Sequence, residues 1–211
     1  MCCMEKEEIY YKHKRYLDLL LLFFVFITVV PLFLLIFLAI KLSSRGPLFY
    51  KHKRVGKNGR PFYVYKFRTM VDGAEALLPK ILKNNPQARE EFENGYKLKN
   101  DPRVTPIGKI LRKTSLDELP QLINILRGEM SFVGPRPIVE EEKVKYGEYL
   151  PLLLKEKPGL TGLWQVSGRN NLSYEERVAL DMEYIRKKSL RLDIKIILKT
   201  IPVLFSGNGA Y

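Results

Sequence analysis

TSLDELPQLINILRGEMSFVGPRP, residues Thr114–Pro137, holds two adjacent acids, an apolar helical pattern and an arginine between two prolines. Ser115 and Glu118 have the spacing of a capping box, which satisfies backbone N–H groups at a helix start. The apolar residues that follow recur at helical spacing, namely Leu119, Leu122, Ile123 and Leu126. The stretch therefore predicts a short amphipathic helix with Asp117 and Glu118 in its first turn.

Asp117 is the candidate for chemistry in this stretch. Unpaired N–H groups and the helix dipole favour an anion at a helix N-terminus. A carboxylate that stays ionised there can bind Mg²⁺ or attack a phosphorus or carbon atom. Acids are also common in first helical turns for structural reasons, and Glu118 fits a capping role. The acid pair alone leaves both interpretations open.

Arginines in two turns indicate a site for an anionic ligand. Pro135 and Pro137 restrict the backbone on each side of Arg136, which lowers the cost of fixing its side chain. Arg169 ends the Gly-rich segment Pro158–Arg169, where backbone can approach a ligand closely. The planar guanidinium group matches phosphate oxygens. Further basic candidates, which fit a lipid-facing band of charge equally well, are Lys66, Arg68 and Arg112.

The composition is strongly basic, with 36 Lys plus Arg against 23 Asp plus Glu and a formal net charge of +13. This excess suits phosphate-bearing substrates, anionic lipid or nucleic acid. No Walker loop or GxGxxG motif occurs, and the two histidines, His13 and His52, lie far apart among Lys and Arg. They predict neither a metal cluster nor a Ser-His-Asp set. The two cysteines, Cys2 and Cys3, are adjacent and do not form a disulfide framework.

The apolar run Leu17–Ile40 is 24 residues long, about 36 Å as a helix, which is enough to enter or cross a bilayer core. Pro31 lies inside the run, where proline removes a hydrogen bond and kinks a helix. Both flanks are basic, since residues 12–15 include three Lys or Arg and residues 41–68 include nine without any acid. Basic flanks prefer the cytoplasmic side, so a helix that enters and returns explains both. A spanning helix is the alternative that the residues leave open.

The remainder of the chain has the pattern of one hairpin followed by helices. Leu48–Val55 and Pro61–Met70 are predicted strands around an Asn-Gly turn. A second capping box, Ser173–Glu176, begins a predicted helix that ends near Lys188. Leu190–Phe205 mixes apolar and charged residues, which suits a helix on the core or in the membrane interface. Other predicted helices are Ala74–Leu82, Gln87–Phe92, Ile107–Lys113 and Glu140–Leu150.

Five ordered segments match the motifs of a known family: KFRTM, SLDEL, MSFVGPRP, KPGLTG and QVSGR, which begin at Lys66, Ser115, Met130, Lys157 and Gln165. From Tyr16 to Tyr211 the chain resembles the bacterial sugar transferases, which are small monotopic phosphoglycosyl transferases. The resemblance implies an enzyme at the cytoplasmic face of the bacterial inner membrane. Such an enzyme moves a sugar-1-phosphate from a UDP-sugar to polyprenyl phosphate, commonly undecaprenyl phosphate, and releases UMP. The segment Gly207–Tyr211 is similar to the endings of members that transfer galactose- or glucose-phosphate.

The resemblance also implies roles for single residues. Asp117 matches the family's nucleophile, which forms a covalent phosphosugar intermediate, and Glu118 completes the catalytic pair. The family requires Mg²⁺, and Asp117 is its expected ligand here. The residues expected to bind substrate are Lys66, Arg68, Arg112, Arg136, Gln165 and Arg169.

The family's membrane anchor is a re-entrant helix broken at a Ser-Pro pair. This chain has Val30-Pro31 at that place, so the proline matches and the serine does not. The resemblance therefore favours re-entry. We expect an α+β fold with a polar tail at residues 1–15, a re-entrant helix at 16–42 broken at Pro31, and a catalytic domain at 43–211. That domain is expected to hold a small β-hairpin and amphipathic helices in the membrane interface.

The expected partners are a UDP-sugar, polyprenyl phosphate and anionic membrane lipid. A homodimer is left open, and nucleic acid is not expected. A non-enzymatic basic membrane-surface protein that binds lipid or nucleic acid would explain the charge and the apolar run, but not an acid pair beside Gly-Pro-Arg-Pro. A multi-spanning transferase that joins both substrates directly would need more than one apolar segment. Release of UMP from UDP-sugars separates the enzyme from the binding protein.

Overall fold

The computed structural model describes residues 3–95, 98 and 100–206, so the predicted similarity of Gly207–Tyr211 lies outside the described residues. The strands are β1 (Phe49–Val55), β2 (Pro61–Phe67), β3 (Ser131–Val133) and β4 (Gly159–Thr161). The helices are α1 (Cys3–Ser43), α2 (Ala74–Asn84), α3 (Pro86–Gly95), α4 (Pro106–Lys113), α5 (Leu122–Leu126), α6 (Lys143–Tyr146), α7 (Leu150–Leu153), α8 (Tyr174–Lys187) and α9 (Leu190–Ser206). This mixture of helices and small sheets confirms the predicted α+β class.

The predicted hairpin is present. β1 and β2 pair antiparallel in a register that sets Phe49 opposite Phe67 and Val55 opposite Pro61. Asn58 and Gly59 turn the chain with φ angles of 57° and 73°, a region that Asn and Gly tolerate best. β2 ends at Phe67, three residues before the predicted end.

A parallel pair of strands was not predicted from the Gly-rich segment. β3 pairs with β4, with Ser131 beside Gly159 and Val133 beside Thr161. The two backbones approach so closely that a Cβ on Gly159 would collide with the backbone nitrogen of Gly134. This pairing places the Gly-Pro-Arg-Pro turn against the start of the Gly-rich segment.

Residues 3–15, predicted as a polar tail, extend α1, which runs for 41 residues with Pro31 inside it. They fold because their polar groups have buried partners. Lys14 donates to Asp193 at 2.6 Å, and the hydroxyls of Tyr10 and Tyr184 donate to the same carboxylate. Both charged side chains of this pair are buried. The start of α1 is therefore held against α8 and α9.

The next turn of α1 is held against the stretch that follows the acid pair. Arg15 donates to the backbone oxygens of Ile125 and Leu126 at 2.6 and 2.8 Å. Buried Asp18 accepts hydrogen bonds from the Ser131 hydroxyl and from the backbone N–H of Phe132, both at 3.0 Å. These contacts link the entry of the apolar run to α5 and β3.

The apolar part of α1 has one buried side and one exposed side. Leu22 packs with Phe62 and Val64 of the hairpin, while Ile36 and Ile40 pack with Phe67 and Leu111. The exposed side carries large apolar residues whose accessible fractions lie between 59% and 64%, namely Phe23, Phe24, Phe26, Ile27, Leu34 and Leu35. By length and composition, α1 is apolar enough to cross a membrane.

Two of the other helix predictions have different outcomes. The capping box at Ser173 and Glu176 is confirmed, with both reciprocal hydrogen bonds present at the start of α8. The single helix predicted for Glu140–Leu150 is wrong: α6 ends before Gly147, whose φ of +47° does not continue a helix, and α7 begins at Leu150. For α9, which was predicted to lie on the core or in the membrane interface, Asp193 and Ile196 are buried in the protein.

Candidate active site

A cavity of about 740 Å³ lies between the hairpin, the acid pair and the Gly-rich segment. The predicted site residues all line it: Lys66, Arg68, Arg112, Asp117, Glu118, Arg136, Gln165 and Arg169. They come from four separate parts of the sequence, so the fold brings the predicted candidates to one place.

The acid pair lies in a 3₁₀ turn, Leu116–Gln121, that leads into α5. The predicted capping box at Ser115 and Glu118 is wrong, because Ser115 adopts a left-handed conformation with a φ of 56° and its side chain caps no N–H group. Its hydroxyl instead accepts a hydrogen bond from Arg169 at 3.3 Å. Glu118 accepts from the Lys66 ammonium at 2.6 Å. Both side chains of the expected cap therefore bind basic residues of the cavity.

The two acids differ in their electrostatic surroundings. Burial, with a smaller contribution from the charge of Glu118, raises the pKa of Asp117 to about 6 against the opposing charges of Lys66 and Arg112. For Glu118 burial would raise the pKa, but the attraction and hydrogen bond of Lys66 hold it below its usual range, helped by Arg136 and Arg169. At neutral pH both carboxylates are ionised, but the Lys66 ammonium binds Glu118, and Asp117 is the buried anion whose pKa stays raised. A buried anion of this kind suits nucleophilic attack.

Arg136 points its guanidinium group toward the cavity from the turn after β3. Its Cζ atom lies 5.8 Å from the centre of the Trp164 ring, and it donates no hydrogen bond to any residue in the described ranges. The buried Oε1 atom of Gln165 also has no partner among the described residues. Both groups therefore have hydrogen-bonding capacity left for a ligand.

Arg68 and Arg112 have structural partners as well as a place in the cavity wall. Arg68 donates through both Nη atoms to the backbone oxygens of Ser44 and Arg45, just after α1. Arg112 donates through Nε to the hydroxyl of Thr69 at 2.9 Å. The first bonds fix the loop after α1 to the end of β2, and the second fixes α4 to the residue that follows Arg68. Less of each side chain is therefore available for substrate than of Arg136.

A row of polar residues on β1 was not predicted from the sequence. Tyr50, His52 and Arg54 line the cavity together with Lys66. The register of the hairpin explains this, because Tyr50 lies opposite Lys66 and residues two apart in a strand share a face. The same alternation, applied to the predicted hairpin, could have placed these residues on one face with Lys66.

Two carboxylates of the cavity, Asp117 and Glu118, are adjacent in the chain and are the candidates for metal binding. In the described ranges, no three residues among His, Cys, Asp and Glu are grouped so as to hold a metal ion. Mg²⁺ is usually bound through one or two carboxylates together with substrate phosphates, rather than by a complete protein cage. Asp117 and Glu118 fit that form of binding, in which the ion arrives with a diphosphate.

Comparison with known proteins shows the family to which the chain belongs. The family model described as bacterial sugar transferase matches residues 9–207. The chain is 50% identical to the exopolysaccharide production protein ExoY of Sinorhizobium fredii over 94% of its own length and 88% of that protein. It is 48% identical to the undecaprenyl-phosphate galactose phosphotransferase of Salmonella typhimurium, of which it covers 41%. It is also 39% identical to the UDP-glucose:undecaprenyl-phosphate glucose-1-phosphate transferase of Escherichia coli, again covering 41%. The chain belongs to the bacterial sugar transferase family.

Proposed function

We propose that this enzyme transfers a sugar-1-phosphate from a UDP-sugar to undecaprenyl phosphate or a similar polyprenyl phosphate, releasing UMP. The observation that carries the proposal is a buried carboxylate, Asp117, in a cavity lined by Lys66, Arg136 and Arg169. The names of the relatives that act on undecaprenyl phosphate support it. A hexose is the expected sugar, because those relatives are named for galactose and glucose.

The transfer would take place in two steps. In the first, a carboxylate oxygen of Asp117 attacks the phosphorus that carries the sugar, and the bond from that phosphorus to the UMP oxygen breaks. In the second, a phosphate oxygen of the lipid attacks the same phosphorus and displaces Asp117. Lys66, Arg136 and Arg169 would hold the phosphate oxygens. Mg²⁺ bound through Asp117 or Glu118 would offset diphosphate charge and help UMP to leave.

The experiment that tests the proposal is a panel of UDP-sugars assayed for UMP release. The purified enzyme is given Mg²⁺ and each UDP-sugar, with and without undecaprenyl phosphate. We expect continuous UMP release only when the lipid is present and at most one UMP per enzyme when it is absent. No UMP release from any UDP-sugar would refute the proposal and favour a binding protein.

Arg136→Lys is expected to lower kcat/KM for the UDP-sugar roughly 10- to 100-fold without unfolding the protein. Lysine keeps the charge but cannot make the planar two-point contact with phosphate, and such contacts are worth about 1.5–3 kcal/mol. Arg127→Lys is a matched control, because Arg127 is exposed and lies outside the cavity lining. Near-normal turnover of Arg136→Lys would assign Arg136 to the turn alone.

We further propose that α1 enters the membrane and returns to the cytoplasmic face. Arg15, before the apolar run, binds α5, and Asp18, near the start of the run, binds β3, while the backbone of Ser44 and Arg45, after the run, binds Arg68. A spanning helix would separate those two flanks by about 30 Å of hydrocarbon. Polar contacts from both flanks to one domain therefore support re-entry. The basic residues on both sides of the apolar run would then face anionic lipid.

Cysteines placed at Lys6 and at Lys41, one at a time and in a background without Cys2 and Cys3, should both resist labelling from outside intact cells. Both positions are exposed on the protein, so a membrane-impermeant thiol reagent reports which side of the membrane they face. Labelling of the Lys6 position alone would establish a spanning helix. Pro31→Leu should shift the segment toward spanning, since leucine supplies the backbone N–H that proline lacks and removes a cause of bending inside α1.

The enzyme is favoured over a non-enzymatic surface protein by its family. Mg²⁺ dependence, the inner-membrane location, the absence of nucleic acid as a partner and the homodimer stay predictions.

A further inference from the structure

His52 lies in the wall of the cavity and is used by none of the steps above. It is half-buried on β1, directly opposite Val64 and between Tyr50 and Arg54 on the cavity face. Its ring lies edge-on to Tyr50, with the ring centres 5.8 Å apart. Its position on a paired strand gives the imidazole a fixed location relative to Lys66 and the acid pair.

The protonation pattern of His52 follows from its neighbour. The Nη2 atom of Arg54 lies 3.2 Å from Nδ1 of His52. A guanidinium group can only donate hydrogen bonds, so Nδ1 must be the acceptor. Nδ1 then holds a lone pair, and the single ring proton is on Nε2.

Arg54 is itself held from the Gly-Pro-Arg-Pro turn. It donates through Nη1 to the backbone oxygen of Pro137 at 3.2 Å and lies 3.5 Å from a carboxylate oxygen of Glu142. Burial and the nearby Arg136 lower the pKa of Arg54 to about 10, which still leaves it charged at neutral pH. The acceptor state of Nδ1 is therefore imposed by a side chain that is fixed on two sides.

The surroundings also keep the imidazole uncharged. Burial, together with the positive charges of Arg54, Lys66 and Arg136, lowers the pKa of His52 to about 4, against a smaller opposite effect of Glu142. At neutral pH His52 is a neutral donor through Nε2.

We propose that His52 binds the sugar nucleotide by donating a hydrogen bond from Nε2–H to one of its oxygen atoms, with Arg54 as the positioning residue. This inference rests on the proposed function. The cavity already contains Lys66, Arg136 and Arg169, which hold phosphate by charge. A neutral donor adds direction without further charge, which suits a hydroxyl of the sugar or a carbonyl of the base.

The first test is the protonation state of the imidazole in the free enzyme at pH 7, read from ¹⁵N chemical shifts. The chain has two histidines, so His13→Gln assigns the signals. We expect an unprotonated Nδ1 and a protonated Nε2, with no titration of this ring between pH 5.5 and 8. A proton on Nδ1, or a charged ring at pH 7, would overturn the inference without touching the proposed function.

The second test compares His52→Gln with His52→Leu in UMP release. A glutamine amide can accept from Arg54 and still donate to the ligand, whereas leucine can do neither. We expect KM for the UDP-sugar to rise about tenfold or more in His52→Leu and to stay within about threefold in His52→Gln, with little change in kcat. His13→Leu is the matched control, since His13 is exposed on α1 and outside the cavity lining.

Inhibition by UMP locates the acceptor oxygen. If the inhibition constant of UMP rises together with KM in His52→Leu, the contact is to the nucleotide. If the inhibition constant of UMP does not change, the contact is to the sugar. Equal KM values for His52→Leu, His52→Gln and wild type would refute the contact of His52 with the sugar nucleotide but not the proposed function. Wild-type enzyme that releases no UMP would refute the proposed function and this contact with it.

Discussion

Asp117→Asn is expected to abolish UMP release, with a fall in kcat/KM of at least about 10⁴-fold. The amide is nearly the same size as the carboxylate but carries no attacking anion, so the bond to phosphorus cannot form. Wild-type enzyme incubated with UDP-sugar and no lipid should gain the mass of one sugar phosphate on the peptide that contains Asp117. Initial rates with both substrates should follow ping-pong kinetics.

Glu118→Gln is the companion variant. It removes the negative charge that pairs with Lys66 but leaves Asp117 in place, so we expect slower turnover while the covalent label still forms. An Asp117→Asn enzyme that still gains the label, or a label found on Glu118, would contradict the assignment.

The raised pKa of Asp117 gives the same prediction a pH dependence. Since the carboxyl group must be ionised to attack, kcat/KM for UMP release should fall below a midpoint near pH 6 and be about tenfold lower at pH 5 than at its plateau. Lys66 lowers this pKa, so Lys66→Gln should move the midpoint to higher pH. A profile that is flat from pH 8 to pH 5 would show that Asp117 is not the titrating nucleophile.

Lys14→Met is expected to destabilise the folded protein by about 3 kcal/mol. It leaves the buried carboxylate of Asp193 without its cation, and breaking a buried pair in this way typically costs about 3–5 kcal/mol. The low end applies because the hydroxyls of Tyr10 and Tyr184 still donate to Asp193. The measurement is the free energy of unfolding in one detergent.

Two controls separate the ion pair from a general effect on α1. Lys12→Met changes an exposed lysine of the same helix and should leave stability within about 0.5 kcal/mol of wild type. The double variant Lys14→Met with Asp193→Asn removes both charges and should recover most of the loss. A Lys14→Met protein as stable as wild type would show that the pair contributes little.

Local sequence signals predicted the parts of the fold that local chemistry decides. The Asn-Gly pair predicted the hairpin, and the box at Ser173 predicted the start of α8. The apolar run predicted a long helix, but not that it begins at Cys3, because the partners of Tyr10 and Lys14 lie at the other end of the chain.

The residues of the candidate site were predicted to a similar extent. The acid pair and its basic neighbours were found through motifs, and the structure places them around one cavity. The false capping box at Ser115 shows the limit of a local pattern, since the Lys66 ammonium binds Glu118 in place of the backbone. His52 was not predicted as a site residue, because its role depends on which face of the strand lines the cavity. The packing of the hairpin decides that face.

The bond between Lys14 and Asp193 also orders events during synthesis. The two residues are 179 positions apart, so at about 5–20 residues per second the ribosome adds Asp193 roughly 10–40 s after Lys14. Throughout that interval Lys14 lacks the carboxylate that binds it in the folded protein. The start of α1 can therefore be joined to α9 only after Asp193 has been synthesised, later than its contacts with α5 and β3 can form.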